Sequence, residues 1–491
     1  MKNHQRVSYM AIIATILAVT MLIPGAIARP TLHPRIQTPL AEIPGWPMFH
    51  HDPNHTGVAN STAPETNNIL WSYEAGGDVL SSPAVVNGKV YCASYDDNTV
   101  FCLRESDGYR LWQFATADFI PYSSPIIANN KLYIGSRDQN IYCLNASTGT
   151  KIWNQPTGGM IYSSPTIVDS RLYIGSSDNK LYCLDATTGG YLWNFTTAGF
   201  VWCSPAVVNG KVYVGSMDFK MYCLNATTGA PLWNFTAGMI IYSSPAVVDG
   251  KVYFGSWDHF VYCLDADTGV QIWKKDIGSG VLGAIFATPA VIAGKVYIGV
   301  DWAPQGGFFC LNAATGDVLW NRTLNGAVYA SPAVADGKVY VGTCQDNSFY
   351  CFDADNGTQL WSYTGGGYFA SSPAIADGKV FVGSNDDHLY CFGPLLEISA
   401  IEGGFFTVFA RVRNNSPQNL TLDYSITTAG GFMILGRRSV GTVNIYPYDY
   451  AIVRSNLMFG FGNPALTVTI GNVTKTVQTQ VFLVFVKILP S

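Results

Sequence analysis

Charged residues are scarce in this sequence of 491 residues, at 12% of the composition, and the formal net charge is only −5. Such a charge gives no case for a nucleic-acid-binding surface. Glutamate is absent from 110–396, no two cysteines are adjacent, and neither a Ser-His-Asp arrangement nor a zinc-hydrolase motif is found. Hydrophobic residues, in contrast, make up 48% of the chain, and glycine and aromatic residues are abundant, as in globular all-β proteins.

One motif with a period of about 40 residues recurs eight times. Each copy has a tryptophan, then Ser-Pro or Thr-Pro, then Gly-Lys-Val-Tyr and Tyr-Cys-Leu or close variants, and the clearest copy spans 243–273. The repeated tryptophans are Trp71, Trp112, Trp153, Trp193, Trp233, Trp273, Trp320 and Trp361. We interpret them as residues that dock neighbouring units, each indole N–H needing one buried acceptor.

The content of one copy predicts strands. Runs of β-branched and aromatic residues at 246–248, 251–255 and 260–264 are separated by turn residues, and none is long enough for a helical period, which excludes helical repeats. Four-stranded blades arranged in a closed ring hide most sheet edges at this period. We therefore predict an all-β fold, with an eight-bladed β-propeller over 46–394.

The ends of the repeat region predict how the ring closes. No Thr-Gly-x-x-Leu-Trp segment follows Cys391, whereas Trp71 stands one step before the first Ser-Pro. The segment 69–73 should therefore supply the outer strand of the last blade, so that an N-terminal strand closes the ring.

Segments outside the repeats predict export and a second domain. Residues 1–28 combine basic residues, an apolar run and Ala-Ile-Ala, which predicts a signal peptide, with an uncleaved anchor as the alternative. Residues 29–45 form a proline-rich linker. Residues 395–491 alternate in hydrophobicity between glycine turns and predict a small β-sandwich.

The histidines are candidate metal ligands, and the cysteines are candidate disulfide partners. His50, His51 and His55 lie beside Asp52, a set that suits zinc, but no second ligand cluster completes a site, so we predict a rigid turn and no metal. The eight repeated cysteines are too far apart in neighbouring blades to pair and should be core residues. For the three extra cysteines, bridges from Cys92 to Cys102 or from Cys344 to Cys351 remain an alternative.

One blade is enlarged. Pro289 lies 16 positions after Trp273, whereas Pro245 lies 12 positions after Trp233, and a second insertion falls at 301–307. Both predicted loops open onto one face of the propeller, called here the top face. Loops that accept insertions on a rigid scaffold often carry function. The Gly-x-Gly-x-x-Gly within the first insertion precedes a strand and not a helix, so it is not a dinucleotide site.

Aromatic residues recur three positions before the repeated prolines, at the top mouth of the predicted central channel. They suit inter-blade packing or, alternatively, binding of a flat ring, a sugar or a peptide. The candidate binding residues are Tyr122, Tyr162, Trp202, Tyr242, Trp257, Phe286, Trp302 and Tyr329. Aspartates in the neighbouring turns, such as Asp96, Asp138 and Asp258, should mainly close those turns by accepting backbone N–H groups.

The Trp-Pro-x-Phe sequence at 46–49, followed by Ser-Pro-Ala-Val-x-x-Gly-Lys-Val-Tyr-x-Gly-Ser and Leu-Tyr-Cys-Leu-Asp-Ala-x-Thr-Gly-x-x-Leu-Trp, resembles the pyrroloquinoline-quinone-type (PQQ-type) β-propeller family over 46–393. That resemblance implies either a quinone-dependent alcohol dehydrogenase or one of the family's many propellers without a cofactor. The segments Arg-Val-Arg-Asn-Asn and Phe-Gly-Phe-Gly near the C-terminus resemble an immunoglobulin-like module of archaeal surface proteins.

The resemblance also implies what a dehydrogenase would need, namely a calcium site of acidic and amide side chains, a general-base aspartate, an arginine near the quinone and, in several members, adjacent cysteines. Because glutamate ligands and a Cys-Cys pair are missing, we expect a non-enzymatic exported scaffold at the cell surface, without cofactor, that binds a protein or glycan partner on the top face. The alternative is a PQQ-dependent dehydrogenase using quinone and Ca²⁺ at the channel mouth. Glycosylation sequons, for example at Asn194, Asn234 and Asn321, lie away from the top face.

Overall fold

The computed structural model describes residues 45–278, 283–302, 305–403, 407–429, 432–435, 438–455, 459–483 and 485–488. The predicted signal peptide, 1–28, and nearly all of the predicted linker, 29–45, lie outside the described residues. Every element in the described ranges is a β-strand. Accordingly, the described part of the chain has no helix long and apolar enough to cross a membrane.

The described residues from Gly45 to Phe392 contain thirty-three strands, all antiparallel to their neighbours. The first seventeen are β1 (Gly45–Trp46), β2 (Ile69–Glu74), β3 (Ala84–Val86), β4 (Lys89–Ala93), β5 (Thr99–Arg104), β6 (Arg110–Ala115), β7 (Ile126–Ala128), β8 (Lys131–Gly135), β9 (Asn140–Asn145), β10 (Lys151–Pro156), β11 (Thr166–Val168), β12 (Arg171–Ser176), β13 (Lys180–Asp185), β14 (Tyr191–Thr196), β15 (Ala206–Val208), β16 (Lys211–Gly215) and β17 (Lys220–Asn225). The others are β18 (Pro231–Thr236), β19 (Ala246–Val248), β20 (Lys251–Gly255), β21 (Phe260–Asp265), β22 (Gln271–Asp276), β23 (Ala290–Ile292), β24 (Lys295–Trp302), β25 (Gln305–Asn312), β26 (Val318–Leu324), β27 (Ala333–Ala335), β28 (Lys338–Gly342), β29 (Ser348–Asp353), β30 (Gln359–Thr364), β31 (Ala374–Ala376), β32 (Lys379–Gly383) and β33 (His388–Phe392).

These strands form eight sheets within the described residues, each beginning with a three-residue inner strand and ending with an outer strand that carries the repeated tryptophan. The predicted strands of the clearest copy are confirmed, since β19, β20 and β21 cover them. Closure is confirmed as well, because β2 pairs with β33 and places Trp71 opposite Cys391. The all-β propeller fold is thus the observed one.

The tryptophans dock neighbouring sheets as predicted. Trp233 Nε1 donates to the carbonyl of Ala266 at 3.1 Å, and the Tyr213 hydroxyl donates to the same oxygen at 3.1 Å. The indole also leaves no room for a Cβ at Gly269, which would lie 2.6 Å from the ring. The last sheet has no turn after its third strand, β33, that could supply a carbonyl equivalent to that of Ala266. Trp361 Nε1 donates instead to the carbonyl of Pro64 at 3.4 Å.

A belt of serines joins the sheets and explains the Ser-Pro signature. The backbone N–H of the residue before the proline donates to the hydroxyl of its counterpart in the next sheet, as Ser164 does to Ser204 at 2.9 Å. The same bond runs from Ser372 to Ser82 at 3.2 Å, across the closure of the ring. A buried backbone N–H without an acceptor would destabilise each contact between sheets, and the serine hydroxyl supplies that acceptor.

The N-terminal segment 45–59, called here the plug, runs along the inner strands. Strand β1 pairs with β3. Beyond it, plug carbonyls accept inner-strand N–H groups in five further sheets, from Ile127, Val207, Val247, Val291 and Val334, at 2.8–3.0 Å. Inner strands present an unpaired edge to the axis of a propeller. A segment that bonds to the inner edge of six sheets therefore fills the central channel.

The enlarged sheet differs from its prediction. The second insertion, 301–307, is not a simple loop, because β24 and β25 continue the hairpin until Trp302 lies opposite Gln305. The equivalent strands β20 and β21 have 5 and 6 residues, whereas β24 and β25 have 8 each. Part of the first insertion, 279–282, lies outside the described residues.

The last part of the chain forms two further sheets around one core. Its strands are β34 (Leu396–Gly403), β35 (Val408–Asn414), β36 (Leu420–Ala429), β37 (Phe432–Leu435), β38 (Arg438–Ile445), β39 (Tyr450–Arg454), β40 (Phe459–Gly462), β41 (Ala465–Ile470), β42 (Val473–Leu483) and β43 (Phe485–Ile488). Strands β34, β35 and β39 form the smaller sheet, and the remainder form the larger one. Both contribute to one buried cluster that includes Val412 and Val468, as in a β-sandwich.

Candidate functional site

The candidate site is the top mouth of the channel, where residues three positions before the prolines converge. Tyr162 stacks on Trp202 with 4.5 Å between ring centroids, and Trp202 meets Tyr242 at 5.1 Å. Tyr242 contacts Phe286 at 5.5 Å, and Phe286 contacts Tyr329 at 4.8 Å. Five predicted site residues therefore form one unbroken row, called here the aromatic row, and each is half-buried.

Trp257 extends the aromatic row, and Tyr122 stands at the equivalent sequence position of a neighbouring sheet. Trp257 lies parallel to Tyr242 at 5.4 Å and edge-on to Phe286 at 5.2 Å. The side chain of Tyr122 is 54% exposed. Burial, the largest cause, raises the pKa of Tyr122 to about 12. The side chain of Trp302, the remaining candidate, lies outside the described residues.

Three polar groups accompany the rings. Trp202 Nε1 donates to the hydroxyl of Ser177 at 2.8 Å, and the Tyr329 hydroxyl donates to Asp301 Oδ2 at 3.1 Å. Burial and Asp301 together raise the pKa of Tyr329, so its hydroxyl stays a donor at neutral pH. Trp257 Nε1 is buried and has no hydrogen-bond partner among the described residues. Buried indole N–H groups usually find an acceptor, so this donor is an exception within the site.

The plug forms the floor beneath the mouth, and its histidines are structural. His55 Nδ1 donates to the carbonyl of Pro245 at 3.1 Å. His50 has Nδ1 2.7 Å from the carbonyl oxygen of His55 and Nε2 3.1 Å from that of Pro332. Since burial lowers the pKa of His50 to about 4, the neutral ring donates to one of these oxygens. Burial lowers the pKa of His55 to about 3, aided by the nearby His50. Asp52 accepts the backbone N–H groups of Asn54 and Thr56. The predicted rigid turn is thus observed, and its position in the channel was not predicted.

The rim aspartates close turns, as predicted for most of them. Asp258 accepts the Phe260 N–H at 3.2 Å with one oxygen and the Tyr262 hydroxyl at 2.6 Å with the other. Asp96 is an exception, because the first turn has one extra residue and Asp97 accepts the Thr99 N–H instead. Sequence reasoning therefore misplaced this carboxylate by one position.

Asp78 is a further acidic residue of the rim that sequence reasoning missed. Burial, together with the carboxylates of Asp96 and Asp387, raises the pKa of Asp78 to about 6. The amide of Asn385 donates to Asp78. Asp78 belongs to no repeated position, and for that reason the pattern gave no sign of it.

The comparisons with known proteins agree with this architecture. A family profile described as "Outer membrane protein assembly factor BamB" matches residues 56–127, 120–200, 182–276 and 258–395. Among curated proteins, tetrathionate hydrolase of Acidithiobacillus ferrooxidans is 25% identical over 122 residues, 20% of this chain and 24% of the hydrolase. The chain thus spans about a quarter of the length of that relative.

Solved structures give the same fold. BamB from Moraxella catarrhalis has a TM-score of 0.57 at 19% identity, covering 67% of this chain and 97% of that one. Quinohemoprotein alcohol dehydrogenase from Comamonas testosteroni has a TM-score of 0.62 at 16% identity, covering 72% of this chain and 81% of that one. A europium-containing methanol dehydrogenase has a TM-score of 0.61 at 15% identity, covering 72% of this chain and 99% of that one. These identities show the propeller fold alone. Because the profile matches extend over most of the chain, the protein belongs to the BamB-like family of PQQ-type β-propeller repeats.

Proposed function

We propose that the protein is a non-enzymatic, exported binding scaffold of the cell surface that holds a protein or glycan partner at the top mouth. The aromatic row from Tyr162 to Tyr329 is the observation that carries this proposal. Half-buried aromatic side chains offer large contact areas at low conformational cost, and such residues dominate binding energies at interfaces. The matching family profile is described as an assembly factor, which supports a scaffold.

The geometry also supports a partner that approaches from one side. The plug bonds to the inner strands of six sheets, so the mouth is a cup and not a passage. Sequon residues such as Asn194, Asn234 and Asn321 are exposed on outer strands, where glycans would leave the mouth open.

A quinone-dependent dehydrogenase is the second candidate function. The crowding of Asp78, Asp96 and Asp387 favours it, because a divalent cation would relieve their repulsion. Other rim carboxylates do not fit a calcium ion beside a quinone, since residues such as Asp258 use both oxygens on the turn and on a tyrosine. No group of three or more His, Cys, Asp or Glu residues in the described ranges is arranged to hold a metal ion.

Binding measurements with defined probes test both candidates. The purified protein would be applied to a glycan array and titrated by calorimetry with PQQ plus Ca²⁺. Trp202→Ala should weaken glycan binding at least tenfold, as truncation of a central aromatic contact usually does. Tyr109→Ala is the matched control, because Tyr109 is 63% exposed on an outer turn and should be neutral.

Each outcome decides between the candidates. Glycan binding that Trp202→Ala removes and Tyr109→Ala retains would support the scaffold. Tight binding of PQQ that requires Ca²⁺ and is lost in Trp202→Ala would replace the scaffold with the dehydrogenase. Binding of either probe that both variants retain would move the site away from the aromatic row.

A further inference from the structure

A second concave site lies between the propeller and the smaller sheet of the C-terminal region. None of the residues that line it belongs to the aromatic row. The cleft encloses about 780 Å³, which is within the usual range for small-ligand sites. Its lining residues are Gly88, Glu105, Ser106, Asp377, Lys379, Glu397, Ser399, Arg411, Arg413, Tyr448, Asp449 and Tyr450. The Tyr448 hydroxyl donates to the carbonyl of Leu70 at 3.2 Å and joins the two walls.

The cationic group of the propeller wall is already neutralised. Lys379 Nζ donates to Glu105 Oε1 at 2.8 Å, and both side chains are almost fully buried, at 8% and 6% exposure. Glu105 and Glu397 are among the groups that raise the pKa of Lys379. The lysine therefore has its counter-charge within the protein and is not an anion ligand of the cleft.

The opposite wall carries two guanidinium groups that have no such counter-charge. Arg411 and Arg413 alternate with buried Ala410 and Val412 along β35, so both point away from the sandwich core. Among the described residues, neither guanidinium group has an ion pair within 4.0 Å or a hydrogen-bond partner. Glu397 lies directly opposite Arg413 in the strand ladder, yet its carboxylate does not pair with it.

An aromatic surface adjoins these charges. The guanidinium carbon of Arg411 lies 5.1 Å from the ring centroid of Tyr450, which is itself 55% exposed. Tyr450 also lies opposite Arg413 in the ladder with β39. The wall thus presents two arginines on one face of one strand, with Cα atoms about 6–7 Å apart, beside an exposed flat ring.

We propose that this cleft binds a small organic anion, whose carboxylate or phosphate group is held by Arg411 and Arg413 and whose flat apolar part packs on Tyr450. Guanidinium groups present planar sets of donors that match carboxylate and phosphate oxygens. The cleft also carries the carboxylates of Asp377, Glu397 and Asp449, but none of them pairs with either guanidinium group, so a bound anion would supply the direct partner that both arginines lack. This site is separate from the proposed function of the aromatic row.

Calorimetric titration with three probes tests the proposal and distinguishes the chemical classes. The probes are inorganic phosphate, phenyl phosphate and benzoate, each added to the purified protein. Phenyl phosphate should bind more tightly than phosphate because its ring packs on Tyr450, and a preference for benzoate would instead assign a carboxylate ligand. Arg413→Gln should weaken binding of the preferred probe at least tenfold, because a charge-assisted hydrogen bond is lost.

Two further variants keep the result interpretable. Arg454→Gln is the matched control, because Arg454 lies over the ring of Phe409 on the same sheet but does not line the cleft. The affinity of this variant for the preferred probe should equal that of the parent protein. Glu397→Gln removes the carboxylate opposite Arg413 and should strengthen binding several-fold, an effect that misfolding does not produce. The proposal is overturned if no probe gives saturable binding up to about 10 mM, if Arg454→Gln loses as much affinity as Arg413→Gln, or if Glu397→Gln leaves the affinity unchanged.

Discussion

Acid should destabilise the propeller through His55 in the plug. The imidazole is fully buried, its Nδ1 bonds to the carbonyl of Pro245, and its Nε2 has no hydrogen-bond partner among the described residues. Burial lowers the pKa of His55 from 6.5 to about 3. Between these values the unfolded chain binds a proton that the folded chain does not, so the free energy of unfolding falls as the pH falls. The slope is about 1.4 kcal/mol per pH unit, so the loss should amount to about 3 kcal/mol at pH 4.5.

His55→Asn isolates this contribution. Asparagine tolerates the left-handed backbone at this position, where φ is 57°, and its amide can still donate to Pro245, although lost ring packing should lower stability at neutral pH. Denaturant unfolding followed by tryptophan fluorescence would compare the two proteins at pH 7.5 and pH 4.5. The stability gap should shrink by about 3 kcal/mol at the lower pH, because the variant lacks the buried imidazole that only the unfolded parent protonates in this range. An unchanged gap for His55→Asn would refute the reasoning.

Three further predictions concern the packing of the fold. Gly269→Ala should lower stability by about 2 kcal/mol or more in thermal denaturation, because a Cβ there would lie 2.6 Å from the Trp233 ring, whereas Gly250→Ala, at a similar φ but in open space, should cost only about 1 kcal/mol; equal losses would contradict the packing role. Lys379→Met should cost about 3–5 kcal/mol, because it leaves Glu105 buried without its partner, and a loss below 1 kcal/mol would contradict this. A thiol reagent should modify none of the 11 cysteines in the native protein and all of them after unfolding without reductant, because all are free and buried; fewer after unfolding would reveal a disulfide.

Much of the fold could be predicted from the sequence because the same physical requirement recurs in each copy. Each outer strand needs a residue that covers the next sheet, and Trp233 shows how one indole meets that need with a ring contact and one hydrogen bond. The closing strand 69–73 could be placed because the last sheet lacks an outer strand and the first repeat is preceded by an extra one. Pairing the two is the arrangement that completes the ring. The aromatic row followed from the same periodicity, since equivalent positions of neighbouring sheets must be adjacent.

Features that occur once could not be predicted in this way. The plug makes its hydrogen bonds mainly through backbone carbonyls, such as that of Pro53 to Val207, so its sequence does not encode its partners. The carbonyl of Pro64 replaces that of a missing turn for the same reason. The first turn has one extra residue, so Asp97 and not Asp96 accepts the backbone N–H of Thr99. Both positions hold aspartate, so the residue types of the turn do not reveal the shift. The cleft depends on how two differently built sheets meet, which no single repeat specifies.

The positions of the two candidate sites have a common cause in the direction of the inner strands. Each inner strand starts at the mouth, just after the serine belt, and ends in the hairpin that leads to the second strand. The cleft is lined by residues of such hairpins, Gly88 and Asp377, so it lies at the end of the sheets opposite the aromatic row. The C-terminal sheet therefore covers the propeller without covering its mouth, and the plug separates the two ends. A partner at the mouth and an anion in the cleft can consequently bind at the same time, and variants of the two sites should affect binding independently.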